Sequence, residues 1–146
     1  MSTSRRRRPA QAGVTLIEML VVVTIIALFA GLVGLRMWKQ ADKAKTTAAR
    51  AQINTFMTAL NLYKMDTGVF PTTEQGLQAL RTAPQGVTNW QSAYLERDIP
   101  LDPWGRPYIY HYPSEQGDEP EIISYGADGQ PGGEGASADI VSWKNQ

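Results

Sequence analysis

The chain contains no cysteine and only one histidine, His111. The first absence excludes disulfides, thiolate metal sites and cysteine nucleophiles. An exported domain of this composition must hold its loops with some other staple. His111 stands among Tyr108, Tyr110 and Tyr112 on a strand-like segment, where a packing or surface role fits better than that of a base or ligand. No phosphate-binding loop and no metal-hydrolase spacing is present, and no nucleophile-elbow pattern surrounds Ser124 or Ser142. The globular part also lacks a basic stripe interleaved with aromatics, which a nucleic-acid binder would carry. These gaps point away from an enzyme and toward a structural role.

What is present is unevenly spread. Formal net charge is zero over 146 residues, but it is the sum of opposed blocks. Arg5, Arg6, Arg7 and Arg8 open the chain; residues 36–50 carry five bases and one acid, Asp42; residues 51–146 carry five bases and twelve acids. Such asymmetry implies separate environments for the parts. Between the first two basic blocks lies an apolar run of 22 residues, Val14 to Leu35, interrupted by Thr15, Glu18 and Thr24. As a helix it reaches roughly 33 Å, about a bilayer core. The four arginines ahead of it place the N-terminus in the cytoplasm by the positive-inside tendency.

Two features set this run apart from an ordinary secretory signal. The small residue, Gly13, precedes the apolar core, whereas a signal peptidase site follows it. A cut after Gly13 therefore removes residues 1–13 as a leader and keeps the greasy helix. Glu18 is the second feature: a carboxylate in a membrane run costs about 2.5–3.5 kcal/mol on insertion scales. The cut would create a cationic α-amine at Val14, and Glu18 of a neighbouring subunit could pair with it, setting the register of an assembly. The plainer alternative is a signal anchor with Glu18 at headgroup level.

The helix is expected to continue past the membrane. Residues 36–64 contain neither proline nor glycine and are rich in good helix formers. Ile53, Phe56, Leu60 and Tyr63 recur at helical spacing, giving one helix over 14–65 whose second half packs on a domain. Asp66-Thr67-Gly68 ends it. Thr72 and Gln75 read as a capping box for a short helix to about Leu80. Strands are expected at 108–112, 121–125 and 139–143, the last two separated by a glycine-rich stretch from Gly126 to Ala138. The fold class is α+β, a long helix on a small antiparallel sheet. The segments are a leader at 1–13, a membrane helix at 14–35 that also serves assembly, its amphipathic continuation at 36–65, and a globular domain at 66–146. Asp102-Pro103-Trp104-Gly105 reads as a turn with Trp104 packed in the core. Glu115, Asp118, Glu119 and Glu121 read as a solvated face that could meet the basic 36–50 segment of another subunit.

The stretch from Gly13 through Val14, Thr15, Leu16, Ile17 and Glu18 to Ala27 resembles the N-terminal motif of type IV pilins and pseudopilins. The resemblance implies cleavage after Gly13 by a prepilin peptidase, methylation of the new N-terminus at Val14, and an assembly role for Glu18. Val14 departs from the phenylalanine usual after the cut. Further along, Asp102 to Tyr110, Ser124 to Gly129, Gly132 to Gly135, and Ala138 to Ile140 with Trp143 resemble the major pseudopilins of type II secretion systems. That resemblance implies the major subunit of a periplasmic pseudopilus, a homopolymer acting as a piston that exports folded proteins across the outer membrane. It implies minor pseudopilins, an inner-membrane platform and a secretion ATPase as partners. It also implies Ca²⁺ at the glycine-rich loop, held by the side chains of Asp128 and Asp139 and the carbonyls of Tyr125, Gln130 and Ser137. From spacing alone, two aspartates beside glycines read more simply as an ordinary pair of Asx turns. Glu134, in the same loop, reads as solvated. Two other functions stand beside the pseudopilin: an adhesive or motility pilin, which usually closes its C-terminal region with a disulfide, and a monomeric membrane-tethered calcium-binding protein.

Overall fold

The computed structural model describes residues 13–115 and 117–144, with the backbone alone over 32–39. It divides into two compact units between Lys39 and Gln40. The helix α1, Leu16–Thr67, contributes to both.

In the first unit the helix starts two residues later than the sequence suggests, because Thr15 caps it. Thr15 Oγ1 accepts the Glu18 N–H at 3.3 Å, and the Thr15 carbonyl accepts those of Glu18 and Met19 at 3.1 and 3.2 Å. A hydroxyl taking an otherwise orphaned amide is the usual way a helix N-terminus is satisfied. Thr24 is tolerated within the apolar run because its hydroxyl donates to the Leu20 carbonyl at 2.7 Å. The apolar side chains of this stretch are exposed, Leu16 by 87% and Leu28 by 67%. Among the described residues no helix is long and apolar enough to cross a membrane. The span expected at 14–35 runs into residues 32–35, whose side chains lie outside the described set.

In the second unit the same helix turns amphipathic, as its sequence requires. Ala49, Ile53, Phe56, Leu60 and Tyr63 are buried on one face. Its C-terminus is closed by Gly68, whose φ of +85° suits a left-handed cap and whose N–H reaches the Lys64 carbonyl at 2.8 Å.

The capping box forms but the expected helix does not. Thr72 N–H donates to Gln75 Oε1 at 2.9 Å and Gln75 N–H to Thr72 Oγ1 at 3.4 Å. Gly76 then takes a φ of +59°, which no α-helix continues through, and only the 3₁₀ turn Leu77–Leu80 follows.

Three short strands complete the unit: β1 (Ile109–His111), β2 (Glu121–Ser124) and β3 (Ile140–Val141). They form one antiparallel sheet in the order β1-β2-β3, with Tyr110 opposite Ile122 and Ser124 opposite Ile140. The core lies between this sheet, α1 and the 3₁₀ turn, and includes Phe56, Leu60, Tyr63, Leu80, Tyr108, Tyr110 and Ile122. Phe56 meets Tyr108 edge to face at 5.2 Å between centroids. The segment 82–105 has no helix or strand, yet it is tied down at several points. Trp90 Nε1 donates to the Ala79 carbonyl, Tyr94 O–H to Asp66, and Arg81 Nη1 to the Leu95 carbonyl, at 3.0, 2.9 and 2.6 Å.

One member of the expected solvated acidic face is not solvated. Glu121 opens β2 and is buried, and Ser114 Oγ from the β1–β2 connection donates to its Oε1 at 2.8 Å. A carboxylate is accepted there because a hydroxyl replaces the water it lost. Glu115, Asp118 and Glu119 are exposed, as expected.

Candidate functional site

Two places in the chain carry the expected chemistry. The first is the start of α1. Gly13 and Val14 lie just ahead of the Thr15 cap, both exposed. Glu18 sits in the first helical turn, where the positive end of the helix dipole favours a carboxylate. Its carboxylate makes no hydrogen bond or ion pair among the described residues. It therefore remains available to a group from outside the chain.

The second is the loop between β2 and β3. Five of its glycines, 126, 129, 132, 133 and 135, have positive φ. At two of them the backbone also approaches so closely that no side chain fits. A Cβ on Gly126 would lie 2.9 Å from the carbonyls of Ala136 and Ala138, and one on Gly133 would collide with the Ser137 carbonyl. The loop folds back on itself accordingly. Ala127 N–H donates to the Ala136 carbonyl at 3.0 Å, and Asp139 N–H to the Gly132 carbonyl at 3.1 Å.

The five residues expected to ligate calcium fall into distinct situations. Asp139 Oδ2 accepts the Gly132 N–H at 2.9 Å, while its Oδ1 is buried with no hydrogen-bond partner. A buried carboxylate oxygen without a donor is costly unless a cation or water meets it. Asp128 is exposed, and its Oδ1 accepts the Gln130 N–H at 3.1 Å in an Asx turn. The Asx-turn alternative thus holds at Asp128 but leaves the orphaned oxygen of Asp139 unexplained. The Tyr125 carbonyl accepts the Gly129 N–H at 3.1 Å and keeps a second lone pair. The carbonyls of Gln130 and Ser137 accept no hydrogen bond among the described residues. Ser137 is brought against Gly126 and Gly133; Glu134 is exposed. Among the described residues no cluster of three or more His, Cys, Asp or Glu side chains could hold a metal. A hard cation held here would draw on two carboxylates and otherwise on carbonyls, a donor set that suits calcium. The residues present fit it, and the free Oδ1 of Asp139 is the atom that says so.

Three residues the sequence reading left in the background build the floor of this loop. Asp102 is buried, and its Oδ1 accepts the N–H groups of Trp104 and Arg106 at 3.0 and 2.8 Å. Its Oδ2 accepts the hydroxyl of Ser124, at the end of β2, at 2.7 Å. Arg106 then donates from Nη1 to the Gly126 carbonyl at 2.7 Å and from Nη2 to that of Ala127 at 3.1 Å. The Asp-Pro-x-Gly pattern at 102–105 signals a turn headed by an aspartate. Nothing local signals that Arg106 reaches across twenty residues. Trp104 packs against the core, as expected.

Comparison with known proteins accords with this architecture. The family described as "Type II secretion system (T2SS), protein G" matches residues 36–143. The "Prokaryotic N-terminal methylation motif" matches residues 8–34. The type II secretion system core protein G of Pseudomonas aeruginosa is 41% identical over 142 residues, covering 95% of this chain and 99% of that one. The protein of the same description from Vibrio cholerae is 40% identical and covers 93% and 94%. The crystal structure of the major pseudopilin of the type 2 secretion system of enterohaemorrhagic Escherichia coli superposes with a TM-score of 0.58 at 35% identity, covering 70% of this chain and 89% of that one. A long helix with a small antiparallel sheet is thus the pseudopilin variety of the α+β class. The chain belongs to the protein G family of the type II secretion system.

Proposed function

We propose that this chain is the major structural subunit of a type II secretion pseudopilus. The observation that carries this reading is the union, in one chain, of a methylation-motif N-terminus and a protein G body. In this reading a prepilin peptidase cuts after Gly13 and Val14 is methylated. The helix from Val14 anchors the subunit in the inner membrane, N-terminus inward and the globular unit in the periplasm. Assembly moves that helix from lipid into a bundle of like helices, which covers the apolar side chains exposed between Leu16 and Phe29. Glu18 meets the α-amine of a neighbouring subunit's Val14, so that each new subunit has one favourable axial register. Removing one partner of such a desolvated pair costs about 3–5 kcal/mol, enough to prevent polymerisation. Growth at the base, driven by an inner-membrane platform and a secretion ATPase and tipped by minor pseudopilins, makes the filament a piston for folded proteins. The role is mechanical, not enzymatic.

Calcium belongs to the same reading. Asp128 and Asp139 would hold it by their side chains, and Tyr125, Gln130 and Ser137 by their carbonyls. Bound there it supplies the positive charge that the buried Asp139 Oδ1 lacks, replacing the disulfide this chain cannot make.

Intact mass of the protein extracted from cells with an active peptidase reads out the first steps directly. A mass lacking residues 1–13 and carrying one added methyl group is expected; an uncut chain overturns the reading. Glu18→Ala should abolish filaments and secretion while leaving a folded, membrane-inserted monomer, and persistent filaments would refute the assembly role. For the loop, calcium at a hundred times its dissociation constant should stabilise the fold by about 2.7 kcal/mol, a shift that a chelator reverses. Asp128→Ala should lose that shift, and a wild-type melt indifferent to chelator would remove calcium from the account.

A further inference from the structure

The glycine loop is held by two unlike devices. Its closing half is fastened through Asp139, which takes Gly132 by both its carboxylate and its own N–H and leaves Oδ1 buried without a donor. Its opening half, 125–129, is fastened by a cation the chain already owns. The Arg106 guanidinium forks onto two consecutive carbonyls, Gly126 and Ala127, and lies so close beneath Gly129 that a Cβ there would sit 2.5 Å from its Nε and Cζ. The guanidinium is itself aimed. Its backbone N–H is held by Asp102, and that carboxylate is buried and tied to Ser124 on β2. The chain of contacts runs from the sheet through Asp102 and Arg106 to the loop without a gap.

We propose that Arg106 is the positioning residue of the calcium loop: it fixes the Gly126 and Ala127 carbonyls and so sets Tyr125 and Asp128 for ligation before any cation arrives. The inference rests on the calcium reading above. Its physical basis is the fork. Two carbonyls taken by one planar group fix the peptide planes on both sides, and a single ammonium cannot reproduce this. With residues 125–129 preset, cation binding needs to order only 130–139. Partners that orient metal ligands typically contribute about 10–100-fold in affinity when lost.

The test uses the full chain in detergent micelles, with calcium titrated calorimetrically well below the melting temperature, so that every variant is folded during the measurement. Arg106→Gln is expected to weaken calcium binding about 10–100-fold. Arg106→Lys should recover only part of this, since one carbonyl regains a donor. Amide exchange in chelator supplies a readout independent of the metal. In the wild type the Gly129 amide, bonded to the Tyr125 carbonyl, should stay protected, while the Ala127 and Asp139 amides, whose acceptors Ala136 and Gly132 lie in 130–139, should exchange; in Arg106→Gln the Gly129 amide should exchange as well. Gly129→Ala should weaken binding by displacing the guanidinium, and should do so less in the Arg106→Gln background, where only the backbone strain of a positive φ remains. A wild type that binds calcium alongside an Arg106→Gln that binds it equally well overturns the positioning role and leaves the calcium reading intact. A wild type with no binding heat overturns both. If Arg106→Gln lowers the melting temperature but leaves the dissociation constant unchanged, Arg106 is a fold residue only, and the inference fails.

Discussion

One helix, α1, carries two apolar faces with opposite fates. Over 49–63 the face formed by Ala49, Ile53, Phe56, Leu60 and Tyr63 is covered by the chain's own sheet and 3₁₀ turn. Over 14–29 the side chains of Val14, Leu16, Ile17, Leu28 and Phe29 are exposed among the described residues. The residue types are similar, so hydrophobicity does not explain the difference. Pattern does: the later face has polar residues between its apolar ones, while the earlier run is greasy all round. A one-sided stripe asks for one partner surface, and a helix apolar on every side asks for an apolar solvent or a ring of copies. The first region is therefore a folding element and the second, on the proposed function, an assembly element.

The comparison breaks most sharply at Phe56. It is fully buried and meets Tyr108 edge to face. Phe56→Ala should lower the stability of the globular unit by about 3–5 kcal/mol, the usual loss for a buried aromatic. A chemical denaturation curve followed by tryptophan fluorescence reads this out. A loss under 1 kcal/mol would mean that this face is not the folding element.

Asp102 comes next. Alanine there removes the acceptor of three donors, the N–H groups of Trp104 and Arg106 and the Ser124 hydroxyl. The expected cost is roughly 2–4 kcal/mol, since each buried donor left alone costs about 1–3 and some will find water. Asp102→Asn keeps one acceptor oxygen and should lose about half as much. Equal losses in the two variants would show that shape, not hydrogen bonding, matters at this site.

Much of this difference between regions was readable from residue order. The stripe at 53, 56, 60 and 63, the three strands, and the helix end at Gly68 follow from periodicity and turn chemistry, which act within a few residues. What escaped is non-local. Gly76 cancels a well-formed capping box because its own φ overrules the residues before it. Glu121 is buried because Ser114 folds over it, and no spacing rule connects the two. Arg106 reads as one more surface base until the turn at Asp102 aims it at carbonyls twenty residues on. Of the candidate site, the two aspartates and the glycines were legible as a loop. The orphaned Oδ1 of Asp139, on which the proposed cation site rests, is a three-dimensional fact.

A smaller effect sharpens the folding side of the comparison through pH. Burial, with a lesser contribution from the Asp102 charge, pushes the Tyr108 hydroxyl up to about 12, and burial also raises that of Tyr110. The folded state thus holds these protons more tightly than the unfolded chain, in which a tyrosine titrates near 10. Their contribution is fully present below pH 10 and is lost as pH rises toward 12, where unfolding exposes hydroxyls that ionise. Melting temperature should be flat in this respect up to pH 10 and fall above it. Tyr108→Phe should flatten that fall, and an unchanged alkaline slope in this variant would assign the effect elsewhere.

The smallest expected effect is the one that isolates the assembly element. Leu28 is as apolar as anything in the core, yet its side chain is 67% exposed within the chain. Leu28 belongs to the first unit, so in Leu28→Ala the stability of the globular unit in detergent should stay within about 0.5 kcal/mol of wild type. Filament yield need not follow, because an assembled subunit would lose about 2–5 kcal/mol at a fully packed leucine site. Measuring both in one preparation separates the two faces of the helix. A destabilised monomer would mean that the run over 14–29 already folds against its own chain. An unchanged monomer with depleted filaments places the missing surface on neighbouring copies, which is what a helix with one satisfied face and one unsatisfied run requires.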